Sequence, residues 1–225
     1  MRSFALQVLV FLPAALAAGA GRAGAVELLR ADPAASALAI HVAKSGVLSG
    51  VSHEHHFVPQ SWQAEARFDP ARPAATEVWV VVDAGSLHDR EGRLNAASRA
   101  EVDRKAAGAE VLDARRFPEV RFRGAEVKDL RVPGPGALEG VLRGELALHG
   151  VHRPVEVPFR ARVERGGFRV TGSARFLQSD FGIRPYSTAL GTIGVDDLVS
   201  VEFDLVLAPA SSPRVAGQGA RPQGS

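Results

Sequence analysis

The stretch VEVPFRARVERGGFRVTGSARF, residues 155–176, decides the fold class. Val155, Val157, Phe159, Ala161 and Val163 alternate with Glu156, Arg160 and Arg162. After Gly166-Gly167 the rhythm resumes, with Phe168, Val170, Ala174 and Phe176 set against Arg169, Thr171 and Arg175. Successive side chains leave opposite faces of an extended backbone, so period-two alternation marks a half-buried strand. The two glycines read as the tight turn of a hairpin. Outward from this hairpin the same rhythm returns in about eight segments, at 36–42, 62–68, 76–83, 119–127, 138–148, 154–163, 167–177 and 197–207. Trp62, Ala64, Ala66 and Phe68 oppose Gln63, Glu65 and Arg67, and Leu142, Leu146 and Leu148 oppose Arg143 and Glu145. Faces this charged belong in water. The pattern predicts an all-β protein, an antiparallel sheet that is closed or sandwiched, and a closed sheet of this size holds one small ligand.

One stretch breaks the rhythm. Over 95–117 the reading is helical: Ser98 and Glu101 have the spacing of a capping box, Ala106-Ala107-Gly108 looks like a helix end, and a second short helical turn is expected at Val111–Ala114. Phe117-Pro118 ends the insert and feeds the next strand. Residues 149–154 (HGVHRP) form a second tight connection.

The ends of the chain read differently from its middle. Residues 1–25 have a positive start at Arg2, an apolar run from Phe4 to Leu16, and small-residue cleavage sites at Ala18–Ala20 and Ala23–Ala25. That is the pattern of a secretory signal peptide, too short and too interrupted by Pro13 for an anchor. Residues 209–225 are Pro, Gly, Ser and Ala with two arginines, the composition of a disordered tail. The expected division is a 1–25 leader, a 26–208 barrel domain and a 209–225 tail, with no membrane span. The whole chain has 27 Lys and Arg against 25 Asp and Glu; without Arg2 and Arg22 of the leader the charges balance, which gives no basis for nucleic-acid binding. With no cysteine, disulfides, thiolate catalysis and Cys-ligated zinc are excluded.

The inward faces carry small residues: Ala64, Ala66, Gly144, Gly172 and Ala174. Either they seat neighbouring aromatics such as Phe122, Phe159 and Phe203 in a solid core, or they leave an elongated apolar cavity. Alternation alone leaves both readings open.

Four segments, in order, resemble the YceI-like family. Residues 111–124 (VLDARRFPEVRFRG) are similar to its F-D-x-x-x-[FY]-P-x-[IV]-x-F signature, and residues 144–155 (GELALHGVHRPV) to its G-x-L-x-[IL]-H-G-V-T-[KR]-P-V hairpin. Residues 179–183 (SDFGI) match its S-D-F-G-I segment, and Val195 to Leu207 its closing strand. The resemblance covers residues 27 to about 208. It implies an eight-stranded lipocalin-like barrel in the periplasm, holding an isoprenoid chain such as a polyprenyl phosphate or a quinone tail, with no cofactor and no catalytic residues to carry over. Three departures stand out. The family's Arg before S-D-F-G-I is Gln178, its Thr after H-G-V is His152, and the first hairpin reads GVLSGVSHEHHFV over 46–58, as in a branch with a G-H-[DE]-H element.

On this reading the pocket wall consists of Trp62, Ala64, Phe68, Phe122, Leu142, Leu146, Phe159, Phe168, Val170, Phe176 and Phe203, and His55, His56 and Arg184 face the head group at the mouth. The rival is a periplasmic metal-binding protein built on the His53–His56 cluster. His53 and His55 share a face if the segment is extended, imidazole suits zinc, copper or nickel, and His41 is a candidate third ligand across the hairpin. A third reading is a filled barrel that acts as an interaction protein, with Trp79 marking a partner or homodimer patch. An enzyme is not expected. Ser86, His88 and Asp89 are triad residue types, but crowded on one loop they lack the geometry of a triad.

Overall fold

The 155–176 hairpin forms as read, and its strands belong to a closed sheet. The computed structural model describes residues 26–45, 54–164, 166–188 and 193–210; the segment expected as a leader (1–25), His53 and the part of the expected tail beyond residue 210 lie outside these. In chain order the strands are β1 (Glu27–Ala31), β2 (Ala37–Ser45), β3 (His55–Pro59), β4 (Trp62–Phe68), β5 (Glu77–Asp83), β6 (Leu87–Asp89), β7 (Glu119–Gly134), β8 (Ala137–Leu148), β9 (Val151–Glu164), β10 (Gly167–Leu177), β11 (Ser187–Thr188) and β12 (Ile193–Pro209). The one α-helix among the described residues, α1 (Ala96–Ala107), lies between β6 and β7.

The pairings reduce this list to eight antiparallel strands in a ring. The order β1-β4-β5-β7-β8-β9-β10-β12 closes where β12 returns to β1. Leu29 lies opposite Ala66 on one side and Pro209 on the other. β2, β3 and β6 continue β1, β4 and β5 past short breaks at 32–36, Gln60-Ser61 and the 3₁₀ turn Ala84–Ser86. They carry the pairing on as β12-β2-β3-β6. All eight expected segments are strands. The short pieces β1, β3, β6 and β11 were not, and Leu87–Asp89, read from sequence as loop, is one of them.

The insert differs from expectation in its start. Asn95, rather than Ser98, is the N-cap: its side chain accepts the Ser98 backbone N–H at 2.9 Å, which satisfies one of the helix's free donors. The end at Gly108 is as expected. Val111–Ala114 is a run of turns and makes no helix. The 149–150 connection is a two-residue turn between paired Leu148 and Val151, with φ of 52° at His149 and 77° at Gly150. Both values lie in the left-handed region that such hairpins require. Gly150 is further constrained because a Cβ there would come within 2.5 Å of the Phe117 ring.

The small inward residues divide into two groups. The glycines are seats for large side chains: a Cβ at Gly144 would lie 2.6 Å from the Phe122 ring, one at Gly172 2.5 Å from the Phe203 ring, and one at Gly124 2.6 Å from Leu142. The alanines Ala64, Ala66 and Ala174 instead border the cavity. Trp79 sits on the outer surface, half-buried, between Glu65 and Arg123 on the neighbouring strands. We predict that Gly172→Ala destabilises the fold by about 1–3 kcal/mol through overpacking, whereas Ala64→Val, whose methyls enter the cavity, costs less than about 1 kcal/mol. Urea denaturation of the two variants checks the contrast.

Candidate functional site: an apolar cavity and a pinned histidine cluster

The lumen of the ring is an elongated cavity of about 340 Å³, near the lower end of the roughly 300–1,000 Å³ typical of ligand clefts. The eleven wall residues picked out by alternation, Trp62, Ala64, Phe68, Phe122, Leu142, Leu146, Phe159, Phe168, Val170, Phe176 and Phe203, all border it. Alternation could not supply the residues that reach the cavity from outside the eight segments. Leu29, Phe57 and Leu87 come from the short strands, Ala106, Val111 and Leu112 from the insert, and Ile183 from the segment after β10.

One end of the lumen is closed by the insert and that segment: Phe181 and Ile183, with Leu146 and Leu148, form a buried cluster against Val111 and Leu112. At the other end Leu29, Ala66, Phe68 and Leu207 pack with Phe168, and the rings of Phe68 and Phe168 meet edge-on at 5.0 Å.

The wall is almost entirely hydrocarbon. Glu65, Thr76 and Gln178 are its polar residues. The Glu65 carboxylate accepts from the Arg30 guanidinium at 2.7 Å on the outside of the sheet, and Thr76 donates to the Pro73 carbonyl at 2.7 Å. Gln178 is 6% exposed, and its amide nitrogen donates to the Asp196 carbonyl at 2.6 Å. Where the family resemblance puts a cation, this wall therefore carries a neutral amide.

None of the three residues expected at a mouth contributes to the cavity wall. His55 shares a face with buried Phe57 and stacks on it, and its Nδ1 pairs with the Asp89 carboxylate at 2.6 Å. His56 points the other way and is exposed. Its ring meets that of His41 edge-on at 4.5 Å, so His41 does lie across the hairpin, but opposite His56 and not His55. Arg184 is exposed. His53 lies outside the described residues, and among these no three His, Asp or Glu side chains are grouped to hold a metal ion.

The residues that organise this corner were not legible as a site. Asp89 is fully buried. Its carboxylate accepts from His55, from the His56 backbone N–H at 3.3 Å and from the Glu91 N–H at 2.9 Å. Asp103 of α1 accepts the Asp89 N–H at 2.8 Å and pairs with His88 Nδ1 at 2.7 Å. The His88–Asp103 pair and the Asp89 N–H thus fasten the helix to β6, while the His55–Asp89 pair ties β3 to β6. The far end of α1 is held by Lys105, which reaches the Tyr186 hydroxyl at 3.2 Å. Glu101 first, and then Tyr186, hold its ammonium pKa above the ordinary range. Ser86 takes no part: its hydroxyl donates to the Asp83 carbonyl at 2.8 Å and accepts the Ser61 N–H. The triad residue types therefore do not converge. His149 Nδ1 lies 3.3 Å from the Phe181 carbonyl, a bond to backbone, and exposed His152 pairs with Glu145 at 2.8 Å.

Comparison with known proteins gives the same architecture. The model of the YceI-like domain matches residues 29–207. A UPF0312 protein of Pseudomonas savastanoi pv. phaseolicola is 26% identical over 190 residues, covering 81% of this chain and 92% of the relative. The crystal structure of Burkholderia cenocepacia BcnA superposes with a TM-score of 0.60 at 19% identity, covering 78% of this chain and 98% of that one. A polyisoprenoid binding domain from Saccharophagus degradans superposes with a TM-score of 0.55 at 13% identity, covering 81% and 98%. At these identities the structural likeness is one of fold.

Removing the Asp89 carboxylate leaves an imidazole and two backbone N–H groups without partners in a buried corner. We predict that Asp89→Ala lowers stability by about 2–4 kcal/mol, at about 1–3 kcal/mol per unsatisfied buried group, and that Asp89→Asn, which keeps an acceptor oxygen, loses less. Chemical denaturation ranks the two.

Proposed function

The chain belongs to the YceI-like family, and on that premise we propose that it is a binding protein whose barrel holds the hydrocarbon chain of an isoprenoid lipid. The observation that carries the reading is the cavity itself: long, and walled by hydrocarbon apart from Glu65, Thr76 and Gln178. Each methylene withdrawn from water into such a wall contributes about 0.8 kcal/mol, so a few isoprene units give useful affinity with hardly any polar contact. The fold likeness to a polyisoprenoid binding domain supports the same reading. The chain acts by sequestration and not by catalysis. The leader-like residues 1–25 send it to the periplasm, and residues 26–208 form the working domain.

The wall also favours one kind of head group. A head drawn inside meets no cation there, and burying an unpaired charge is far costlier than burying a hydrogen-bonded neutral group. Gln178, the most buried polar residue of the wall, offers an amide instead. A quinone-like or alcohol head fits such a site better than a phosphate.

Binding is read through Trp62, which borders the cavity, once the outer-face Trp79 is replaced by Phe. In Trp79→Phe protein, a quinone with an isoprenoid tail is expected to quench Trp62 at stoichiometric ratio and to bind at least ten-fold tighter than a polyprenyl phosphate of equal length. Ala66→Phe, which fills the lumen, is expected to remove the response while circular dichroism stays unchanged. A flat titration with folded protein overturns the lipid reading. Equal affinity for the two ligands overturns the neutral-head assignment alone.

A further inference from the structure

We infer that the β7–β8 hairpin tip is the surface by which this barrel docks on a lipid bilayer, and that the isoprenoid passes along it into the cavity. The inference rests on the lipid-binding reading above. On most strands the inward apolar row ends at buried residues. On β7 and β9, the two strands that flank β8, it runs past the rim. Along β9 the inward positions are Val157, Phe159 and Ala161, all on the cavity wall, and the next, Val163, is 45% exposed. Along β7, Val127 and Leu130 are on the wall, and beyond them Val132 is 69% exposed. The two rows meet at the hairpin tip, where Ala137 pairs with Arg162, and a Cβ at Gly136 would touch Val163 at 3.5 Å.

Pro133 and Pro135 make the tip itself apolar. Neither offers a backbone N–H, which reduces the number of polar groups an apolar environment would strip of water. A strip of hydrocarbon that is continuous with the cavity and open to solvent is the shape expected of an entry path for an apolar chain.

Charge selects the partner. Arg131 and Arg162 flank the exposed valines, and among the described residues neither has a carboxylate in an ion pair. Neighbouring cations do: Arg160 pairs with Glu139 at 3.6 Å and Arg169 with Asp204 at 2.7 Å. Asp129 and Glu164 are the acidic residues nearest in sequence, and both are exposed. Two free guanidinium groups beside an apolar tip suit the interface of a membrane with phosphate head groups. The cations meet phosphate while valine and proline enter the acyl boundary.

The test is flotation of the protein, purified as its own cells produce it, with vesicles of phosphatidylethanolamine and phosphatidylglycerol. Wild-type protein is expected to float with the vesicles, and Val132→Asp/Val163→Asp to reduce the bound fraction at least ten-fold. Arg131→Gln/Arg162→Gln is expected to reduce it several-fold and to flatten its dependence on salt. The valine variant alters only exposed side chains, so its melting temperature and its loading from detergent-dispersed ligand are expected to match wild type, while transfer of ligand from vesicles slows with the loss of docking. Wild-type protein that stays in the soluble fraction, or a valine variant that floats as wild type does, overturns the docking surface. Loss of detergent-phase loading in Ala66→Phe with flotation retained shows that the two assignments stand independently.

Discussion

A five-residue strand closes the barrel. β1 is hydrogen-bonded on both sides, to β4 through Leu29 and Ala66 and to β12 through Leu29 and Pro209. Without it β4 and β12 are open edges, with unpaired donors and acceptors in the middle of a sheet that twists toward closure. Leu29 shows how firmly the joint is made: it is 2% exposed and packs into the cluster of Ala66, Phe68 and Leu207 on the wall. Once the ring is complete, the inward residues of eight strands have no other layer to pack against. The width of an eight-stranded ring sets a lumen that side chains can just fill. Whether it stays hollow is then a question of side-chain size.

Glycine and alanine settle that question in opposite ways, although in sequence both are simply small inward residues. A glycine on a strand exposes its own backbone, and Phe122, Phe203 and Leu142 lie flat on Gly144, Gly172 and Gly124. These large side chains are drawn toward the wall and away from the axis. Alanine keeps a Cβ, takes no ring onto its backbone, and borders the cavity at Ala64, Ala66 and Ala174. The solid-core and hollow readings of the sequence are therefore both right, at different positions. Alternation identified the wall because inward direction is a local property of a strand. It could not tell a seat from a gap, because that depends on the residue one strand away.

The same division between local and non-local explains the rest of what the sequence concealed. The eight long segments were readable because each spans enough residues for period two to repeat. β1, β3 and β6 have five, five and three residues, too few for the pattern to be seen. The histidine cluster was conspicuous, but its partners are not neighbours. Asp89 is 34 residues from His55, and Asp103 is 15 from His88. Once those carboxylates are placed, the imidazoles acquire a structural task. His55 ties β3 to β6 through Asp89, and His88 holds α1 through Asp103 over β6, the last strand of the β12-β2-β3-β6 extension, where the helix covers an edge that would otherwise be exposed. The capping error has a similar origin. Ser98 has the right spacing to Glu101, but Asn95 is an equally good cap that begins the helix one turn earlier.

The two ends of the barrel differ in a way that bears on the ligand's polarity. The insert and the 178–183 segment cover one end, and the most buried polar residue of the wall, Gln178, sits there. The β7–β8 hairpin lies at the other end, where the apolar rows run out to solvent. A ligand entering along the hairpin and reaching Gln178 with its head must carry that head through the length of a hydrocarbon tunnel. For a doubly charged phosphate the lost hydration has no counterpart on the wall, so the barrier is prohibitive. For a quinone or an alcohol the loss is a few hydrogen bonds, one of which the Gln178 amide returns. On the lipid reading proposed above, the length of hydrocarbon between the hairpin and Gln178 is therefore what separates the two head-group classes: it is passable for a neutral head and closed to a charged one.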